Sequence, residues 1–245
     1  MRRLLTLCST LALTFTAIGC AMHQPFAAVE AQTKSPLDVV LSQMDAASVH
    51  FTSAELTFKT DNFTKSIKVD AFQTGTLYIE HNSKGQTMGL IDYDIDDKGA
   101  TAKSPSKIVA FDGSSLQVYS PGPNQVDVFK AGANQAKYNT FLTLGFGGSG
   151  KDLAAAWNIT DQGPETLDGV KTEKLDLVSK DDSVTKTFTH VTLWVDPTRA
   201  IALKQIFYSR NGDTRSTTYT TIKLNTKIDK SHYNIPAKAQ RIPHD

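Results

Sequence analysis

Cysteine is nearly absent from this 245-residue chain: there are two, Cys8 and Cys20, both near the N-terminus. From residue 21 onward no disulfide can form within the chain and no cysteine can serve as a nucleophile, so the fold must rest on core packing and backbone ladders. A basic surplus is missing as well. Lys+Arg number 26 and Asp+Glu 25, for a net charge of +1, and without Arg2 and Arg3 the balance is 24 against 25. That excludes the electrostatic footprint of a nucleic-acid binder. The six histidines, at 23, 50, 81, 190, 232 and 244, include no pair at helical ligand spacing. No apolar run reaches the roughly 20 residues that span a bilayer. There is no internal repeat and no linker dividing off a second hydrophobic block.

Three motifs that carry chemistry elsewhere fail here on a required residue. Gly145 to Lys151 has the glycine-to-lysine spacing of a phosphate loop, but Asp152 stands where Ser or Thr must hold magnesium, so a flexible link between helices is expected. The same stretch lacks the last glycine of a G-x-S-x-G elbow, because Lys151 follows two residues after Ser149. Asp92, Asp94, Asp96 and Asp97 suggest a calcium loop, yet Gly99 comes late and Lys103 takes the place of the bidentate Glu. Their alternation with Ile91, Tyr93 and Ile95 predicts an acidic, solvated strand face, with weak surface calcium as the alternative. No enzyme and no cofactor are expected.

What is present begins with an export signal. Arg2 and Arg3 precede an apolar run from Leu4 to Ile18 that ends at Ala17-Ile18-Gly19-Cys20. This is close to the lipobox at which a lipoprotein signal is cut and its cysteine acylated, although Ala17 replaces the usual leucine. The alternative is simple cleavage, which Gly19-Cys20-Ala21 and Val29-Glu30-Ala31 both fit. Residues 1–20 read as the signal, 21–34 as a flexible tether and 35–245 as one domain. The expected location is the periplasm, anchored to the outer membrane through Cys20; Ala21, rather than Asp, after the cysteine fits outer-membrane sorting.

A helix should start at Ser35, with Pro36 in its first position and Asp38 closing a capping box. Leu37, Val40, Leu41, Met44 and Ala47 form one apolar stripe, read either as a helix packed on a sheet or as a lid over a cavity. From Ala54 to Phe129 the period is two: Leu56 with Phe58, Ile67 with Val69, Leu77 with Ile79, then Val109 with Phe111 and Leu116 with Val118, separated by Gly, Asn and Pro turns. Tyr138–Leu144 and Asp152–Trp157 read as helical. Strands resume at Leu175–Val178 and close with a meander: Val191–Val195 stopped by Asp196-Pro197, Ile201–Tyr208, the Asn211-Gly212 hairpin turn, and Thr217–Leu224. The fold class is mainly β with α.

The run LWVDP, strand, NGD, T-T-Y-T strand and Asn225 resembles the closing part of the bacterial lipoprotein carriers and sorting proteins (LolA and LolB). Asp112-Gly113, Leu116, Tyr119 and Pro121 are similar to that family's DG-x-x-L/W-x-x-Y-x-P segment, and Tyr233-Asn234-Ile235-Pro236 to its closing F-x-x-P. The resemblance runs from about Leu37 to Pro236. It implies a curved antiparallel sheet forming a half-open barrel, helices over its mouth, and a cavity for the acyl chains of lipoproteins. The carriers hold their lid with an arginine on an early strand, whereas Phe51–Phe63 offers only Lys59, which lacks the guanidinium fork. A tethered member would act at one membrane, as an acceptor or for a different lipidic ligand.

The cavity residues expected on this basis are Leu56, Phe58, Leu77, Ile79, Ile91, Tyr93, Val109, Phe111, Leu116, Val118, Phe141, Leu144, Leu193 and Ile206, with Leu37, Val40, Leu41 and Met44 as lid. Plain core is the alternative for each. The expected partners are an acylated lipoprotein or lipid, the membrane through the anchor, and another carrier protein. A structural lipoprotein with a barrel filled by its own side chains, or a binder of another apolar ligand, are the competing functions.

Overall fold

The computed structural model describes residues 34–82, 85–132 and 144–244. The signal with Cys20, the tether up to residue 33, and the expected helix from Tyr138, including Phe141, lie outside the described residues, except for Leu144 at that helix's end.

Helix α1, Pro36–Ser48, begins as its sequence dictates. The Ser35 hydroxyl accepts the Asp38 N–H at 3.1 Å, and the Asp38 carboxylate accepts the Ser35 N–H at 3.2 Å. This closes two of the donors that a helix start leaves orphaned. The strands are β1 (Ser53–Thr64), β2 (Val69–Asn82), β3 (Gly85–Ile95), β4 (Lys107–Phe111), β5 (Ser115–Ser120) and β6 (Gln125–Lys130). Helix α2 (Gly150–Ala156) leads to β7 (Trp157–Leu167) and β8 (Val170–Ser179). The short helix α3 (Asp182–Thr185) precedes β9 (Phe188–Asp196), β10 (Ile201–Ser209), β11 (Thr214–Leu224), a 3-10 turn (Lys230–Tyr233) and β12 (Gln240–His244).

The twelve strands among the described residues form one open, curved sheet in the order β12-β6-β5-β4-β3-β2-β1-β11-β10-β9-β8-β7. Every pairing is antiparallel except that of β12 with β6. The two ends do not meet, so the sheet is the half-open barrel that the sequence resemblance implied.

The turns follow from local chemistry. Asp196 accepts from the Thr198 N–H at 2.9 Å and from Arg199 Nε at 2.6 Å, which folds the chain back into β10. The glycine-rich stretch before α2 is not the flexible link expected. Gly145 and Gly147 take positive φ values of 85° and 69°, and their backbones bond to Ala202 and Ala200 while Phe146 bridges to Ile201. Glycine suits those conformations without a side-chain penalty, and the segment is thereby fixed as an added edge against β10. A Cβ on Gly150 would stand 2.2 Å from the Leu41 carbonyl, so α1 and α2 pack closer than any side chain allows.

Three clusters hold the sheet. On the inner face of one half, Leu56, Phe58, Leu77, Ile79, Met88, Phe111, Phe146, Ile201 and Tyr219 form one core. On the inner face of the other half, Leu175, Leu177, Val191, Leu193 and Val195 pack under Val40 and Met44 of α1 and Leu153 of α2. The third lies on the outer face: Tyr78, Ile108, Tyr119 and Val126 are covered by Ile228, Tyr233 and Ala239 of the C-terminal segment. Strand β12 and the segment leading to it were not foreseen in the sequence. Ile67 and Val69, expected in strand alternation, are exposed at and beside the β1–β2 turn.

Candidate functional site

Alternation on β1 sends Ala54, Leu56, Phe58 and Thr60 to the inner face, each no more than 2% exposed. Register carries that face across the sheet: Leu77 pairs with Leu56 and Leu90, Leu90 with Val109, and Val109 with Val118. Toward Leu56, Ile79 and Phe111 the face is solid core. Further along the strands it opens into an apolar cavity of about 360 Å³. Phe58, Leu77, Leu90, Val109, Leu116 and Val118 form one wall; Leu144, Phe146, Phe188, Phe207 and Tyr219 close the other. The Phe146 ring meets the Tyr219 ring edge-on at 4.9 Å, and burial pushes the Tyr219 phenol well above its usual range. A volume of this size lies near the low end of the roughly 300–1,000 Å³ typical of ligand pockets.

The wall also carries polar groups, most of them satisfied internally. The Thr60 and Thr217 hydroxyls bond to each other at 2.9 Å. Gln205 Nε2 donates to the Leu144 carbonyl at 2.6 Å, and Gln73 Nε2 to Asp94 Oδ1 at 3.0 Å. Asp92 is 2% exposed and lines the cavity, and its Oδ1 has no hydrogen-bond partner. Burial foremost, with Asp94 adding to it, raises its pKa above the usual carboxylate range, against the pull of Arg215 and Lys107. Those two cations line the cavity while remaining exposed.

The structure sorts the expected cavity residues into four groups. Phe58, Leu77, Val109, Leu116, Val118 and Leu144 line the cavity. Leu56, Ile79 and Phe111 share the inner face but are sealed in the core beside it. Leu193 is in the core under the helices. Ile91, Tyr93 and Ile206 are on the outer face, a correction with a physical cause in each strand. On β3 the pairing of Leu90 with Val109 and Ile91 with Ile108 turns Asp92 inward, so the strand read as apolar-in and acidic-out is inverted at that point. On β10 the register sets Gln205 beside the inward Thr217 and Leu193 and Phe207 beside Val191, so these face in and Ile206, between Ser216 and Thr192, faces out. The cavity residues not foreseen include Phe207, Tyr219, Met88, Leu90 and the polar set around Asp92. Tyr219 is placed by a bulge, between the Leu56–Ile222 and Phe58–Tyr219 pairs. There Thr57 Oγ1 lies 2.8 Å from Thr220 Oγ1 and accepts the Thr221 N–H at 3.0 Å.

The lid residues Leu37, Val40, Leu41 and Met44 pack on β7–β9 and α2, and none lines this cavity; Met44 borders a separate, smaller one with Leu144, His81 and Ser149. Lys59 is exposed and points to the outer face. Among the described residues no three His, Cys, Asp or Glu side chains gather as a metal site, and no helix is long and apolar enough to cross a membrane.

No protein-family model matches the chain, and no curated protein is significantly similar to it. Solved structures do match. An uncharacterized conserved protein from Thermus thermophilus superposes with a TM-score of 0.52 at 11% identity, over 84% of this chain and 98% of that one. MucB from Pseudomonas aeruginosa, in complex with MucA, gives 0.46 at 14% identity, over 85% of this chain but 64% of that one. A domain described as an outer membrane lipoprotein-sorting protein, from Vibrio parahaemolyticus, gives 0.40 at 11% identity, over 80% and 95%. At these identities the likeness concerns the fold and not the ligand. The chain shares the fold of the Thermus thermophilus protein, and its open, curved sheet is the architecture that the motifs of the closing meander implied.

Proposed function

We propose that this protein binds an acyl chain in the cavity between β1–β5 and β10–β11, in the bacterial envelope, where Cys20 tethers it to the outer membrane. The observation that carries the reading is the apolar hollow itself, walled by Phe58, Leu77, Val109 and Val118 on an inner face that elsewhere packs as core. Burial of a chain there contributes about 0.8 kcal/mol per methylene. A cavity of about 360 Å³ suits a single chain better than a diacylated cargo. The role is binding and handover rather than catalysis. A chain held this way leaves water unfavourably, so transfer runs directly from cavity to membrane or to a second carrier, driven by differences in fit.

Native mass spectrometry on the protein purified without detergent tests the reading. A retained acylated species supports it and identifies the cargo class. A bare protein that also refuses an acyl probe favours the filled, structural lipoprotein. The anchor has its own test: Cys20→Ser releases the protein from membranes, and a variant still in the membrane fraction removes the lipobox from the account.

A further inference from the structure

The cavity is apolar except for a polar patch in which Asp92 is the one acid, with the exposed Lys107 and Arg215 at its margin. Asp92 pairs in register with Gly75 on β2 and with Lys107 on β4. Gly75 matters to this arrangement, because a Cβ there would stand 2.8 Å from the Phe58 ring and 1.8 Å from the Ile91 carbonyl. Without a Cβ at Gly75 the Phe58 ring lies over that position, next in register to the acid. The buried hydroxyls and amide nearby consume one another: Thr60 with Thr217, and Gln205 with the Leu144 carbonyl. Asp92 lines the hollow, and its Oδ1 is left as a buried oxygen with no hydrogen-bond partner. Buried polar atoms in folded proteins are almost always partnered, and an orphan signals a missing ligand or a functional strain.

We infer that Asp92 is the head-group receptor of the cavity, and that the preferred ligand is a single-chain amphiphile whose head carries a hydroxyl or amide hydrogen-bond donor. This rests on the acyl-binding reading above. A hydroxyl or an amide both donates and accepts, so it satisfies Oδ1 whether the carboxyl is ionised or neutral. An ester of the same chain only accepts, and it leaves an ionised Oδ1 unpaired at a desolvation cost. Asp92 therefore discriminates by head, while the apolar wall measures the chain.

The test uses the full-length protein loaded with N-phenylnaphthylamine as a fluorescent reporter, displaced by dodecanol or by methyl dodecanoate. The expected result is displacement by dodecanol at about tenfold lower concentration, the size of one charge-assisted hydrogen bond. In Asp92→Leu the two ligands should become equal, chiefly through loss of the dodecanol advantage. Asp92→Asn, which keeps the shape and adds a donor of its own, should recover part of the ester's affinity, and it serves as the readout if the leucine variant does not fold. Equal displacement in the wild type overturns the inference and leaves the acyl-binding reading standing. Failure of both ligands to displace the reporter, or of the reporter to bind, removes the cavity reading and with it the role of Asp92.

Discussion

The two halves of the sheet are held from opposite faces. In β7–β9 the inner face is filled, with Leu175, Leu177, Val191 and Leu193 fully buried under α1 and α2. Its outer face is covered by its own side chains: Lys174 and Lys204 lie over the Trp194 ring at 5.0 and 4.8 Å and leave it 5% exposed, and His190 stacks on Tyr208. In β2–β6 the arrangement is reversed. The inner face is hollow along the cavity and solid only toward Ile79 and Phe111, and the outer face is covered by the C-terminal segment through Tyr233 and Ile228. A strand that gives up packing on one side needs support on the other, because burial is the dominant favourable term in either case. An internal cavity is thus compatible with a stable sheet here because the outer brace replaces the missing inner layer.

The comparison breaks most directly on matched truncations. Leu177→Ala, in the filled half, should cost about 2–5 kcal/mol in urea unfolding, the range for a buried leucine whose surroundings cannot collapse. Val118→Ala, on the cavity wall, should cost well under half of that, since its side chain already lacks partner atoms on the cavity side. Equal losses would mean that the hollow is occupied in the ligand-free protein. Phe111→Ala belongs with the filled half despite its position on β4, because the residue is sealed in core, and about 3–5 kcal/mol is expected.

The brace has its own lever. Gly89 lies under Tyr233, and a Cβ there would stand 2.4 Å from that ring. Burial raises the Tyr233 phenol to about 12, with Glu80 and Tyr78 adding to it. Gly89→Ala should cost about 1–3 kcal/mol through overpacking. Hydrogen exchange should rise in β2–β6 and stay unchanged in β7–β9. Uniform loosening across the sheet would mean that the two halves are not separately supported. A smaller effect is expected from filling the hollow. Val118→Phe should abolish reporter binding while changing stability by about 1 kcal/mol or less, provided the ring finds the empty volume; retained binding would place the ligand elsewhere.

Much of this division is invisible in the amino-acid pattern. The capping box at Ser35, the Asp196-Pro197 stop and the Asn211-Gly212 turn are local chemistry and stand where the sequence put them. The face of each strand was harder to read. Ile91 and Tyr93 look like the buried side of β3 because they are apolar, yet register with β4 turns Asp92 in. The bulge in β11 shifts the phase by one residue without a glycine or proline to mark it. Val191 and Val118 are equally aliphatic, and only the presence of α1 above one and not the other decides which is core and which is wall. The stripe of α1 was legible, but not which half it covers.

Asp92 gives the finest test of the hollow half, because a buried acid reports on its surroundings through pH. Its pKa in the folded protein is raised, chiefly by burial. In the unfolded chain it titrates near the ordinary value, about 3.9. Between those two values the folded state holds more protons than the unfolded one, so stability falls as pH rises through the window. Asp92→Asn has no such proton to lose. The variant should therefore match the wild type below about pH 3.9 and exceed it at pH 7, by on the order of 1 kcal/mol, the cost of an unsatisfied buried group. Paired thermal melts at the two pH values measure the difference. If the wild type instead gains on the variant as pH rises, Arg215 or Lys107 has closed onto the carboxylate in solution. The hollow would then contain an ion pair, and its polar group would no longer be free to receive a ligand's head.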